Sequence, residues 1–229
     1  MPELKYDNYA TLSFDCYGTL IDWENGILGY LQPLLATRDA HVIDEWILEF
    51  HAAIEPELQA RGGTYRDVLG GIVAALGKRL GFVPSDEDME GLSSSIEYWQ
   101  PFPDTVAALD DLAQHFDLIA LSNIDDDLFE LSIRSLRGQS QRSPFREVIT
   151  AQQIGTYKPD PRMFEALKKR AKGPILHVAQ SRFHDIVPAT AAGLDTVWID
   201  RTSLGATRPV DASPTWTFAS LQAFAAAWK

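Results

Sequence analysis

From residue 104 to the end of the chain, short apolar runs of strand-forming residues alternate with helix-length stretches. That alternation restricts the fold more than any other feature. Leu118–Leu121 (LIAL), Glu147–Thr150, Leu176–Ala179 and Thr196–Ile199 (TVWI) read as strands. Between and after them lie segments of helical texture: Asp104–His115, a stretch starting near Asp126, Pro161–Lys172, Asp185–Ala192 and Ser220–Trp228. Pro161 suits a first helical turn, Gly193 suits a helix stop, and Leu221, Phe224 and Trp228 would dock the last helix. Strands joined through helices pair in parallel and carry helices on both faces. One further strand, Ala10–Asp15 (ATLSFD), stands alone near the N-terminus. From Trp23 to about Trp99 the texture is helical throughout. Apolar positions recur at helical spacing, as in Val68, Leu69, Ile72, Val73, Leu76 and Leu80, and Ser85 followed by three acidic residues reads as a helix start. Pro101-Phe102-Pro103 marks the return. The predicted architecture is a doubly wound α/β core (1–22 and 100–229) with a parallel sheet. A helical cap (23–99) is inserted after the first strand.

Composition narrows the partners. The 229 residues carry 20 Lys+Arg against 32 Asp+Glu, a net charge of −12, which argues against nucleic acid or an anionic membrane, since both need a basic face. An anionic small molecule is not excluded, because it feels only the field of its own pocket. A single cysteine, Cys16, rules out a disulfide within the chain and a cysteine-rich zinc site. The N-terminus lacks the apolar core of a signal peptide and no window is long and apolar enough to span a membrane, so the expected compartment is the cytoplasm.

Four chemistry-bearing segments fall at or just beyond the C-terminal ends of predicted strands. They are Asp15 with its Tyr17-Gly18-Thr19 turn, Ser122-Asn123, Lys158 in YKPDP, and Gln180–Asp185. In an open parallel sheet those ends meet in one crevice. A carboxylate, a hydroxyl, an ammonium and a second carboxylate brought together there form a set suited to covalent catalysis.

With these residues in this order and spacing, FDCYGTLID, LSN, YKPDP and HDIVPATAAGL resemble the four motifs of the haloacid dehalogenase superfamily, and the helical stretch resembles its cap. The resemblance spans essentially the whole chain. It implies that Asp15 is a nucleophile. Phosphatases of the superfamily carry a second Asp two residues later and a Gly-Asp pair opening the fourth motif. Here Tyr17 and Ala179-Gln180 stand in those places. Asp followed by Tyr is the pattern of the 2-haloacid dehalogenase branch. The chain is also similar to azetidine-2-carboxylate hydrolase in DWENGI, LSNID, TAQQIGTYKP and SRFHDIVPA.

The implied reaction is displacement at carbon in a small anionic 2-substituted carboxylate through an aspartyl ester, with no metal or other cofactor, by a monomer or homodimer. By the resemblance, Lys158 neutralises Asp15 and keeps its pKa low, Ser122 and Asn123 hydrogen-bond substrate or nucleophile, and Asp185 positions Lys158 or the hydrolytic water. The backbone of Tyr17, Gly18, Thr19 and Leu20 would form a nest for the substrate carboxylate, with Arg182 as helper. Ring opening of a cyclic amino acid and magnesium-dependent phosphate hydrolysis are the alternatives.

The chain departs from the dehalogenase pattern on the leaving-group side. The cap Arg that takes the halide has no counterpart (the nearest is Arg38), and Phe164 replaces a Tyr, so that side is expected to be less polar. Tyr17 fits a packing role between core and cap as well as a site role. Asp125-Asp126-Asp127 reads as an acidic first helical turn and His184 as a structural group near a helix start. Glu55 and Glu57 read as solvated cap residues. Trp23, Trp46 and Trp99 line a cap pocket or its core. A non-catalytic binding protein is the remaining class, and the complete Asp15, Ser122, Lys158, Asp185 set speaks against it.

Overall fold

The computed structural model describes residues 4–138, 141–201 and 210–227. Trp228, expected in the terminal helix, lies outside them. In chain order the elements are β1 (Thr11–Phe14), α1 (Trp23–Ala36), α2 (Asp44–Gln59), α3 (Tyr65–Leu80), α4 (Asp86–Ser94) and α5 (Thr105–Leu112). There follow β2 (Asp117–Ser122), α6 (Asp126–Leu136), β3 (Glu147–Thr150), α7 (Ala151–Ile154), α8 (Pro161–Arg170) and β4 (Ile175–Ala179). A π-helical turn (Arg182–Ile186) runs into α9 (Val187–Ala191), and β5 (Asp195–Ile199), β6 (Trp216–Phe218) and α10 (Leu221–Ala226) complete the described chain.

The six strands form one all-parallel sheet in the order β3-β2-β1-β4-β5-β6. This is the doubly wound α/β fold expected from the alternation. The residue pattern does not predict β6: it is three residues long and only Trp216 in it is buried, too little pattern to read. The winding reverses between β1 and β4, and such a switch point opens a crevice at the C-terminal ends of the strands. β1 sits there with a partner on each side. Phe14 is in register with Ala120 on β2 and with Val178 on β4, and all four β1 residues are buried.

The segment between β1 and α5 is helical, as its periodicity predicts, and α1 to α4 pack on one another. Two of these helices begin with reciprocal capping boxes. Thr64 and Asp67 open α3, and Ser85 and Asp88 open α4, each hydroxyl accepting the third helical N–H while the acid accepts the N–H of the cap residue. α3 closes on Gly81 in the left-handed conformation. Its apolar stripe Val68, Leu69, Ile72, Val73 and Leu76 is buried.

One carboxylate of the Asp125-Asp126-Asp127 run does more than open α6. Asp125 is buried, and its two oxygens accept the backbone N–H groups of Tyr65 and Arg66, each at 2.9 Å, tying the first turn of α3 to the start of α6. Asp125→Ala would strand two donors at a buried helix end. The expected cost is about 1–3 kcal/mol of stability, read as a lower midpoint in denaturant at unchanged slope.

Candidate active site

The end of β1 places Asp15 on the crevice floor. Its own N–H donates to Val178 of β4. The turn that follows needs Gly18, which has φ +95° and lies under Trp23, where an added Cβ would come within 3.0 Å of the indole nitrogen. Thr19 turns its hydroxyl back to donate to Asp15 Oδ2 at 2.7 Å and accepts the N–H of Gln180 at 2.9 Å. Thr19 thereby fixes the orientation of the carboxylate.

Lys158 reaches the same point from the loop before α8. Asn123, just past β2, clamps its backbone at two points: Oδ1 accepts the Lys158 N–H (2.6 Å) and Nδ2 donates to the Lys158 carbonyl (3.0 Å). The side chain then runs inward, and Nζ donates to Asp15 Oδ1 (2.8 Å), Asp185 Oδ1 (2.6 Å) and the Leu121 carbonyl (2.9 Å). Three protons meet three acceptors, so this buried ammonium is fully satisfied. Asp185 enters from the π-helical turn after β4, and its Oδ1 also contacts Nε2 of His177 at 3.0 Å. His177 is held in turn by Ser13 at 2.8 Å. His177 belongs to none of the motifs that mark the site in the sequence. Its signal was a histidine inside an otherwise apolar buried strand, which needs polar partners on both sides.

The electrostatics follow from two buried carboxyls sharing one ammonium. Burial pushes Asp15 up. Lys158 and the Thr19 hydroxyl pull it down and Asp185 pushes it up, and the net direction is up. Asp185 goes the other way. Burial raises it, but Lys158 and His177 outweigh that and hold it below the ordinary range. Lys158 is raised: burial disfavours its charge, and the two carboxylates more than offset that. The expectation that Lys158 keeps Asp15 low is therefore corrected: the ammonium acts in that direction, but desolvation and the second carboxylate prevail.

Asp15, Ser122, Lys158 and Asp185 line a cavity of about 100 Å³ whose other side is built by Trp23, Glu55, Tyr65 and Trp99. Sites for drug-sized ligands run to roughly 300–1,000 Å³, so this one is sized for a small molecule. Ser122 Oγ and Asp185 Oδ2 are buried and have no hydrogen-bond partner among the described residues. Tyr17 also lines the cavity. Its hydroxyl is paired with Ser132 Oγ at 2.7 Å and its ring meets Trp99 edge-on, so it combines the packing and site roles. Asn123 lines the cavity as well, but its amide is engaged with Lys158.

Several expected substrate contacts are not formed. Three of the four expected nest donors are taken, because Gly18 N–H donates to the Ile21 carbonyl and Thr19 and Leu20 donate to that of Cys16. Tight turn hydrogen bonds use up these three donors. Arg182 lies outside the cavity lining with its guanidinium 3.7 Å from the centre of the Trp198 ring, a cation–π stack fixed by the π-helical turn. Phe164 is buried edge-on against His177, behind the site, and leaves the polarity of the leaving-group side untouched. Arg38 pairs with Asp88 at 2.6 Å, away from the cavity. In the other direction, Glu55 is not simply solvated. With Ala52, Pro56 and Gln59 it forms the stripe of α2 that faces the cavity, and its Oε1 accepts the Tyr65 hydroxyl at 2.7 Å. Trp46 stacks on Phe50, while Trp23 and Trp99 reach the cavity.

The profile of the haloacid dehalogenase-like hydrolases matches residues 9–193. The chain belongs to that family. No curated protein matches it by sequence. Among solved structures, this hydrolase is similar to the L-2-haloacid dehalogenase of Xanthobacter autotrophicus, with a TM-score of 0.79 at 18% identity over 94% of this chain and 96% of that one. It resembles the L-2-haloacid dehalogenase PA0810 with a TM-score of 0.75 at 22% identity, covering 95% and 97%. It is equally close in shape to the HAD-hydrolase YfnB of Bacillus subtilis, solved with magnesium, with a TM-score of 0.79 at 20% identity over 96% and 99%. At these identities the likeness establishes the fold. The residues of the site must choose the chemistry.

Those residues do not suit magnesium. An Mg²⁺ site wants carboxylates around an octahedral cation. Here the space between the two carboxylates is filled by the Lys158 ammonium, and Tyr17 offers a phenol paired with Ser132 in place of a third acid. Among the described residues no group of three or more His, Cys, Asp or Glu is placed to hold a metal ion. Nor is any described helix long and apolar enough to cross a membrane.

Proposed function

We propose that this hydrolase displaces a leaving group from carbon in a small 2-substituted carboxylate, by way of an ester on Asp15. The observation that carries this is Tyr17, whose phenol is paired with Ser132 at the position where phosphatases of the superfamily carry their second Asp, beside an Asp15 already held by the Lys158 ammonium. Asp15 attacks the substituted carbon, a C–O bond forms, and the leaving group departs with the bonding pair. Lys158 holds the attacking carboxylate in place, and Thr19 fixes its plane. Water then attacks the Asp15 carbonyl carbon. Asp185 Oδ2, which accepts no hydrogen bond within the described chain, takes the proton of that water. Asp185 passes that proton to the departing oxygen, the alcohol leaves, and Asp15 sheds the remaining water proton to solvent and returns as a carboxylate. Ser122, with its hydroxyl unpartnered on the cavity floor, is the donor assigned to the substrate carboxylate. Residues 23–99 serve as a cap that keeps bulk water away, through Trp23, Tyr65 and Trp99. The structure of the Xanthobacter dehalogenase with chloropropionic acid covalently bound, at 18% identity, is consistent with such an ester on this fold.

Both a 2-halocarboxylate and a strained cyclic 2-carboxylate amine satisfy this reaction. The test is a panel of 2-chloropropionate, fluoroacetate, azetidine-2-carboxylate and a generic phosphate ester, each assayed with and without EDTA. Turnover of at least one 2-substituted carboxylate at a rate that EDTA leaves unchanged is expected. Magnesium-dependent phosphate release as the sole activity would overturn the proposal in favour of phosphatase chemistry.

A further inference from the structure

The charges around the cavity do not fit a substrate that is only an anion. Three carboxylates line it, from Asp15, Glu55 and Asp185, against one Lys, no Arg and one His, His184, whose Nδ1 lies 3.3 Å from Ser181 Oγ. The three protons of Lys158 are committed to Asp15, Asp185 and Leu121. Glu55 has a different position. It stands on α2 across the cavity from the reacting groups, and the structure gives it one partner, the Tyr65 hydroxyl on Oε1. His51, one turn earlier on α2, supplies no counter-charge. It is buried against Trp23, its ring nitrogens have no hydrogen-bond partner among the described residues, and burial drives it toward the neutral form. The walls beside Glu55 are the rings of Trp23, Tyr65 and Trp99. A carboxylate among aromatic faces is a favourable seat for an organic cation, which gains from both. It is an unfavourable one for a departing halide, whose growing negative charge would meet Glu55 without a cation to balance it.

We propose that Glu55 receives a protonated amine of the substrate, so that this hydrolase selects a small zwitterionic amino acid carrying the displaceable group over a 2-substituted acid without an amine. The proposal rests on the Asp15 reaction above and adds the substrate class. In that arrangement the substrate carboxylate lies on the core side near Ser122 and the ammonium on the cap side at Glu55. The two ends orient the electrophilic carbon between them over Asp15. Glu55 acts in recognition, so its loss is read in binding and KM more than in kcat.

The test separates binding from turnover. In Asp15→Asn, which cannot form the ester, titration calorimetry with azetidine-2-carboxylate and with 2-chloropropionate is expected to show the zwitterion bound at least tenfold more tightly. Adding Glu55→Gln, which keeps the shape and an acceptor for Tyr65, is expected to weaken the zwitterion about tenfold or more while leaving 2-chloropropionate unchanged or tighter. In otherwise wild-type enzyme the same substitution should raise KM for the amine substrate with little change in kcat, and Glu55→Asp should restore part of the loss. Equal binding of the two probes, or a preference that survives Glu55→Gln in a protein of normal melting temperature, would overturn the assignment while leaving the Asp15 chemistry standing. Failure of every substrate to esterify Asp15 would instead remove the reaction itself, and the binding preference would report on Glu55 independently.

Discussion

Asp15→Asn is expected to abolish turnover of every 2-substituted carboxylate, by on the order of 10⁴-fold or more, because it removes the atom that forms the new bond. The fold should survive. The substitution keeps the size of the side chain and takes one negative charge from a buried set in which two carboxylates share one ammonium. Near-wild-type circular dichroism and cooperative melting would check this. The same chemistry has an isotopic signature. In ¹⁸O-water, wild-type enzyme should return unlabelled product oxygen in its first turnover and accumulate ¹⁸O in the peptide containing Asp15 over many turnovers, since water attacks the carbonyl carbon of the ester. Label in the first-turnover product would mean direct attack by water and would remove Asp15 as nucleophile. The pH dependence follows from the upward shift of Asp15 caused first by its burial. The nucleophile must be ionised, so kcat/KM should fall as pH drops through a value above the ordinary carboxylate range of about 3.9.

Lys158→Ala should slow turnover by on the order of 10²–10³-fold and move that acid limb to still higher pH. Without the ammonium, Asp15 and Asp185 are two buried carboxylates within reach of one proton, and the pair binds it more firmly. The stability consequence has a definite sign. A carboxyl whose folded pKa lies above its unfolded value favours folding only while protonated, so that contribution is present at low pH and lost as pH rises. The variant should therefore melt closest to wild type in mild acid and progressively below it toward neutrality, where the uncompensated buried charge costs about 3–5 kcal/mol. Melting temperature and kcat/KM measured across the same pH series test both limbs. Activity within a few-fold of wild type at neutral pH would remove Lys158 from the site.

The floor of the site was legible from the chain alone because its position follows from topology. A strand, a polar or charged residue at its end, and a helix crossing to the next parallel strand are local patterns. Parallel strands deliver all their C-terminal ends to one edge. Asp15, Ser122, Lys158 and Asp185 meet for that reason, and their order along the chain was enough to predict the meeting. The helical texture of residues 23–99 was equally local, carried by apolar spacing and by cap residues such as Ser85.

What the sequence left open was which side chains a helix or turn spends on itself and which it turns to the cavity. Gly18, Thr19 and Leu20 offered N–H groups for an anion, and the tight turn consumed them. Asn123 carried a substrate-binding signature, and its amide went to the Lys158 backbone. Arg182 offered a charge to a substrate carboxylate, and the π-helical turn laid it on Trp198. Asp125 read as a helix-opening acid, yet it caps another helix far away in sequence.

Glu55 is the sharpest case. Periodicity shows that α2 has an apolar and a polar face, but which face lies over the core depends on how α1, α3 and α4 pack beneath it. That packing rotates an ordinary acidic residue into the mouth of the site. The sequence by itself determined the fold, the order of the strands' chemistry and the four groups on the crevice floor, because these depend on contacts within an element and on the handedness of its crossings. Only the tertiary structure decided the partners of those groups and the identity of the opposite wall, because these depend on long-range packing between helices that no local pattern encodes.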